Sequence, residues 1–395
     1  MTKNKTAWRK VKLGDFVEVN PAIKLQRGKE YPFLDMADVQ PFSRTIKWQK
    51  NKVFKGSGAR FKNGDTLFAR ITPCLENGKI TQALNLDKPG FGSTEFYVLR
   101  GREGVSDNDF VYYLSRTYRI RKLAEQSMIG TSGRQRVERT AFENIEIEIP
   151  SDLNDQKRIA SILSSFDDKI ELNNKISAAL EQTAQAIFKE WFVKNKKLKA
   201  KSEKLGNLVK IISGHPFSSK LYTRKQNDTF SVVTIKNVQD GNFITSCDSF
   251  IKENKVPENI NLECRIHDGN ILLSLTGNVG RVCFVYGGNY LLNQRVAKIV
   301  PKEEKNRAYC YFLFRQSFIQ NRLINMAKGS AQPNLSPVET GEIEISMPDQ
   351  KILDKFNKFA EPIYNRLVKN KVENQKLAAL RDSLLPKLMT GEIEV

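Results

Sequence analysis

Apolar side chains recur at Ile159, Leu163, Phe166, Ile170, Ile176, Leu180, Ile187 and Trp191. Most of the gaps are three or four residues or sums of them, which lines one stripe of a helix. No Pro or Gly interrupts Asp155 to Val193, so the spacing predicts one unbroken helix, roughly 60 Å long at ~1.5 Å per residue. The same signal returns from Asp349, where DQKILDKFNKF opens a stripe continued by Leu367, Leu377, Leu380, Leu384 and Leu388. Pro362 and Pro386 interrupt this second run, and a kink or restart is expected near each. Asp155-Gln156-Lys157 and Asp349-Gln350-Lys351 stand about half the chain apart. Two long helices, each following a globular segment, are therefore expected to pair with each other.

Before the first helix the period changes to two. Tyr31–Val39, Ser93–Arg100 and Ile145–Pro150 read as strands, and Phe61–Ile71 as a turn, supplied by Gly64-Asp65, followed by an apolar strand. Asp109 to about Met128 has helical spacing, with Gly130 as its expected C-cap. Residues 205 to about 348 retrace this order. SVVTIKNVQ answers PFLDMADVQ, DGNILLSLTG answers NGDTLFARIT, YLLNQRVAKIV answers GSTEFYVLR, and GEIEISMP answers ENIEIEIP. Several matches in one order indicate an internal duplication of a head followed by a long helix. The expected division is 1–150 (first head), 151–194 (long helix), 195–204 (a linker, in the highly charged KNKKLKAKSEK of Lys194–Lys204, which has few apolar residues and no periodicity), 205–348 (second head) and 349–395 (second long helix).

Charge changes this picture most. A formal net charge of +20 points to a polyanionic partner, most often nucleic acid. Five scattered cysteines without a CxxC pair read as free thiols in a reducing compartment. MTKNKTAWRK is polar and leads into no apolar h-region. No stretch nears the ~18 to 20 apolar residues of a membrane span. A cytoplasmic protein with no membrane association is expected.

Catalytic chemistry is not evident. The two histidines, His215 and His267, have no partner spacing that suggests a zinc site or a triad. There is no GxxxxGK[ST] loop, and TGNVG (Thr276–Gly280) reads as a hairpin turn. Polar loops are where the heads diverge. TPCLENGK (Thr72–Lys79) is replaced by TGNVGR (Thr276–Arg281), and GTSGRQRVER (Gly130–Arg139) by GSAQPNLSPV (Gly329–Val338). Arginine suits guanine O6/N7, and Gln or Asn suits adenine N6/N7. The candidate base-reading residues are therefore Ser132, Arg134, Gln135 and Arg136 in the first head and Gln332 and Asn334 in the second. Arg70, Asn77, Lys79, Asn278, Arg281, Gln294 and Arg295 form a second rank. Each would also suit an ordinary solvated loop.

The segments GDTLFARITPCLENGK with STEFYVLR, NDQKRIASILSSFDDKIELNNKI with LEQTAQAIFKEWF, and ENQKLAALRDSLLPKLMTGEI resemble the DNA-specificity subunits of type I restriction–modification systems, over essentially the whole chain. The resemblance implies two target-recognition domains of mixed α/β (α+β) structure, related by a pseudo-twofold internal repeat. They would be joined by two long helices packed as an antiparallel coiled coil. It implies double-stranded DNA as ligand, read as an asymmetric bipartite site whose spacer the helices set. It also implies two methylation subunits and two restriction subunits as partners. S-adenosylmethionine, ATP and Mg²⁺ would belong to those partners, and this chain would bring no cofactor and no catalysis of its own. Contact residues are not shared across that family, so the loop candidates rest on their chemistry alone. A self-sufficient nuclease or methyltransferase, and an adaptor whose heads bind proteins, are the competing classes.

Overall fold

The computed structural model of the chain describes residues 6–46, 48, 50–131, 133–195, 200–327 and 333–395. The chain forms two compact units, one of Met1–Glu171 with Lys376–Val395 and one of Leu172–Gln375. Each unit combines one head with a part of both long helices.

In the first unit, strands Val17–Val19, Phe96–Gly101, Thr66–Ala69 and Ile80–Gln82 form an antiparallel sheet in that spatial order. Thr66–Ala69 is buried along its whole length, as an apolar run in a covered central strand requires. A second sheet has the order Asn51–Val53, Glu30–Leu34, Gly90–Gly92, Ala59–Phe61, with Phe33 and Phe91 paired in parallel. The strand expected over Tyr31–Val39 stops at Leu34, because Asp35 and Asp38 form a capping box around a short 3-10 turn. The expected helix from Asp109 divides into Asn108–Arg116 and Tyr118–Gln126. Thr117 ends the first piece and its hydroxyl accepts from Ile120 N, capping the second. Gly130 is not a helix cap: the helix ends at Gln126, and Gly130, at φ +122°, lies in a hairpin between Met128–Ile129 and Arg136–Val137. Trp8–Lys12 and Glu146–Pro150 form an antiparallel ribbon.

The second unit repeats this plan. Val209–Ser213, Val296–Pro301, Ile271–Ser274 and Val282–Phe284 form the antiparallel sheet. A five-stranded sheet again contains one parallel pair, Thr229–Val233 with Tyr290–Leu292. Ala200–Lys204 is a strand paired with Glu344–Pro348, matching the ribbon of the first unit. The charged stretch read as a linker is thus structured over 200–204, with residues 196–199 outside the described set. Its charges sit on a two-stranded ribbon that needs no buried alternation on the outer face.

The first long helix runs Leu153–Phe188 and continues as a π-type turn over Lys189–Lys194. The second runs Gln350–Met389 without a break at Pro362 or Pro386. Packing along its apolar stripe outweighs one missing N–H at each proline. Within the first unit, Ile159 and Leu163 share a core with Leu385, Leu388 and Met389 and with Phe68, Phe110 and Tyr113 of the head. Within the second, Ala184 and Phe188 share a core with Phe356, Ile363 and Tyr364 and with Tyr309 and Phe312. In the second unit Asn173 meets Asn374, Ser177 meets Asn370 and Phe188 meets Phe356, so as one helix index rises the other falls and the pairing is antiparallel. Each fully buried Leu or Phe contributes about 1.5–3 kcal/mol.

Polar groups fix each register. In the first unit, Asp167 is buried, ion-paired to Arg381, and accepts from Tyr113 Oη at 2.6 Å. In the second, Asn173 Nδ2 donates to Asn374 Oδ1 at 2.9 Å, and Asn370 Nδ2 to Ser177 Oγ at 3.0 Å. Buried Asn or ion pairs of this kind penalise slipped registers, which would strand them. Among the described residues no helix is long and apolar enough to cross a membrane. All five cysteines are free thiols.

Candidate nucleic-acid interface

Three loops of the first head meet at one end of its antiparallel sheet. Residues 70–72 pair with 135–137: Val137 N donates to Arg70 O at 2.8 Å, and Thr72 N to Gln135 O at 3.0 Å. Gln135 N donates in turn to Thr72 Oγ1 at 3.1 Å. The turn after Thr72 is anchored by Leu75, which is fully buried. It is closed by Lys79, whose Nζ donates to Met36 O at 2.7 Å. The third loop presents Phe42, whose N–H donates to Gly78 O at 3.0 Å.

Arg136 is the most organised candidate. Its Nε donates to Glu95 Oε2 at 2.9 Å and its Nη2 to Glu95 Oε1 at 2.7 Å, a two-bond side-on clamp. The arginine side chain is still 42% exposed. Arg70 approaches the same carboxylate at 3.6 Å, with its guanidinium 5.2 Å from the Tyr97 ring centroid. The hydrogen bonds and charge of Arg136 hold the Glu95 carboxyl below the usual carboxylate range. Two cations on one anion leave the cluster net positive.

Arg134 and Asn77 are exposed on the same set of loops, and Gln135 is half-buried. Lys79 is committed to a main-chain carbonyl and serves the turn. Ser132 of this head and Gln332 of the other lie outside the described residues.

The second head builds the same frame. Leu275 N donates to Arg295 O at 3.0 Å, as Arg70 N does to Glu95 O at 2.9 Å, and Leu335 N donates to Leu275 O at 2.8 Å. Isolated bridges join Thr276 to Asn334 and Ile71 to Arg136. Position by position, Arg70 corresponds to Leu275, Glu95 to Arg295, and Arg136 to Asn334. Written side by side, the loop sequences had set Gln135 against Asn334; the main-chain bonds shift that register by one residue. Asn334, Arg295, Gln294 and Asn278 are exposed. Arg281 is half-buried, bonded through Nη1 to Gln239 Oε1, and its N–H donates to Ser274 Oγ at 3.0 Å. His215 supports this edge, its carbonyl accepting from Gln294 N at 3.2 Å. The TGNVG segment is the expected hairpin, with Gly277 and Gly280 at positive φ.

Three contributors escaped the sequence reading. Glu95 faces Arg136 across 41 residues of chain, a separation that no local spacing reports. Tyr97 is half of an alternating strand pattern and gave no sign of being a platform. Phe42 is 43% exposed at φ +58°, with the Arg121 guanidinium 5.2 Å from its ring; an aromatic held in the left-handed region is a local cost visible only in the backbone. Among the described residues no group of His, Cys, Asp and Glu could hold a metal.

Comparison with known proteins bears on this site. The sequence matches the family profile described as "Type I restriction modification DNA specificity domain" twice, over residues 5–182 and 198–374. It is 25% identical over 405 residues to the type I restriction enzyme HindI specificity subunit of Haemophilus influenzae, covering 84% of this chain and 87% of that one. It is 24% identical over 421 residues to the MjaVIII specificity subunit of Methanocaldococcus jannaschii, covering 98% and 93%. The crystal structure of the type I restriction–modification S subunit from M. genitalium shares the fold, with a TM-score of 0.58 at 19% identity over 98% of this chain and 97% of that one. Two matches in tandem, coinciding with two structurally equivalent heads each followed by a long helix, place the chain in the type I restriction–modification DNA-specificity family, whose members are the non-catalytic specificity subunits of these systems.

Proposed function

We propose that this chain reads an asymmetric bipartite DNA site, one half-site per head, and carries partner subunits to it. The carrying observation is the pair of matched frames: the same main-chain bonds present Arg136 with Glu95 in one head and Asn334 with Arg295 in the other. Related scaffolds with different polar edges suit two different short targets. The net charge of +20 supplies sequence-independent attraction to phosphates. The two half-sites would be separated by unread base pairs, their number set by the two long helices. Two methylation subunits using S-adenosylmethionine and two restriction subunits using ATP and Mg²⁺ would perform the chemistry, and this chain only the reading. Bases are distinguished by the distinct donor and acceptor pattern of each pair in the major groove.

The deciding experiment is methylome sequencing of cells carrying the chain with its neighbouring subunits, against cells lacking the chain. The expected result is one modified motif with two specified blocks flanking an unspecified gap, absent without the chain. A single contiguous motif, or modification that persists without the chain, would overturn the reading.

A further inference from the structure

The clamp on Arg136 leaves a specific part of the guanidinium open. Glu95 takes the Nε–Nη2 edge. The Nη1–Nη2 edge has no acceptor among the described residues and belongs to a side chain that is 42% exposed. That edge offers two parallel N–H donors, the shape that guanine O6 and N7 accept. A long, otherwise mobile side chain is thereby fixed before any ligand arrives, so less conformational freedom remains to be lost on contact.

Phosphate is the other planar, two-acceptor target for arginine. The comparison between the heads argues against it. A phosphate grip draws on charge, which an uncharged residue at the matched place would not supply. The matched residue is Asn334, a neutral amide whose donor–acceptor pair fits adenine N6 and N7. The exchange of Arg for Asn on an unchanged main-chain frame follows the alphabet of base edges.

We propose that Arg136 reads a guanine in the first half-site with Glu95 as its positioning residue, and that Asn334 reads an adenine from the equivalent place in the second. This rests on the DNA-reading function proposed above. Glu95 acts through Arg136: it orients the guanidinium and offsets one of two neighbouring cations, which restrains unspecific attraction to phosphate.

The test uses the chain in its complex, with methylome sequencing of variants Arg136→Lys, Glu95→Ala, Glu95→Gln and Asn334→Ala. Arg136→Lys keeps the charge and loses the two-donor edge; it should make one guanine column of one block degenerate and leave the other block intact. Glu95→Ala should relax that same column while binding to unrelated DNA rises, and Glu95→Gln, which retains one acceptor for Arg136, should fall between. Asn334→Ala should relax an adenine column in the other block only. A merely structural role for Glu95 would lower thermal stability without changing any column. Should Arg136→Lys abolish modification altogether, the unaltered complex decides: 7-deazaguanine at the assigned guanine, which lacks the N7 acceptor, should weaken binding roughly tenfold. Unchanged columns in Arg136→Lys, uniform loss of affinity across all sequences, or indifference to 7-deazaguanine would each overturn the proposal while the bipartite motif of the unaltered chain still stood. If the unaltered chain gave no bipartite motif, the parent reading would fail instead.

Discussion

Where the first head holds the carboxylate of Glu95 between two arginines, the second holds the exposed guanidinium of Arg295 at the same point of the frame. The bonds that define the frame, 70 to 95 and 70 to 137 in one head and 275 to 295 and 275 to 335 in the other, run from main chain to main chain. Such bonds are indifferent to side-chain type short of proline. The edge can thus exchange acid for base, or arginine for leucine, without disturbing the sheet beneath. A second contrast lies in how each head grips the first long helix. Arg116 and Arg381 flank Asp167, with Asp167 and Arg381 both only 5% exposed. In the second unit Arg315 meets Glu181 at 3.2 Å and Asp240 at 3.2 Å, with Glu181 24% exposed. The loop edge is exposed in both heads, and burial constrains the grip on the helix in the first unit.

The largest effect should come from that constraint. Asp167→Ala leaves the buried Arg116 and Arg381 to share the half-exposed Asp382 and takes the acceptor from Tyr113 Oη, and should destabilise the first unit by about 3 kcal/mol. Glu181→Ala leaves Arg315 with Asp240 and water, and should cost about 1–2 kcal/mol in the second. Urea unfolding of both variants checks the difference; equal losses would show that the two grips are equivalent after all. Next in size, Arg295→Glu converts the second head to the charge of the first. The slope of log K against log salt should fall by about one, and affinity several-fold. An unchanged slope would remove Arg295 from the DNA face. In the helix pairing, Asn370→Leu takes the donor from Ser177 Oγ and the Asn173 carbonyl, and its stability loss should be about 1–2 kcal/mol, below that of Asp167→Ala. A loss as large as the latter would mean that asparagines and ion pair hold register equally hard.

The smallest expected effect is in pH. The Glu95 carboxyl sits below its ordinary 4.5 through its bonds to Arg136, so its charge favours the folded, braced state. That contribution is complete at neutral pH and disappears only as the pH falls through the lowered value. Half-site preference of the first head should therefore be flat from about pH 8 to about pH 5. A change near pH 6 would place a different titrating group at the contact.

Much of the architecture was legible in the sequence because it is periodic. The stripe from Ile159 to Trp191 and the retraced strand order gave the duplication and both long helices directly. Details failed where a single side chain overruled period. Thr117 split a helix that the spacing ran together, and Asp35 with Asp38 ended a strand early. Proline rules suggested breaks at Pro362 and Pro386, yet core packing carried the helix through both. At the loop edge of each head, residue chemistry singled out Arg136 and Asn334 as candidates. Their equivalence was hidden by a one-residue shift in a loop, and Glu95 by its distance along the chain.

The core of the first unit includes Leu385, Leu388 and Met389, so its construction outlasts the synthesis of its own head. A ribosome that has finished Glu171 must still make Leu172–Gln375 before the closing strip, Lys376–Val395, exists. At ordinary translation speeds that delay is roughly 10–40 s. During it the nascent first head has apolar surface around Phe110 and Leu163 awaiting its cover, a window open to chaperones. A frameshift within the codons for 376–395 would then injure the head encoded first.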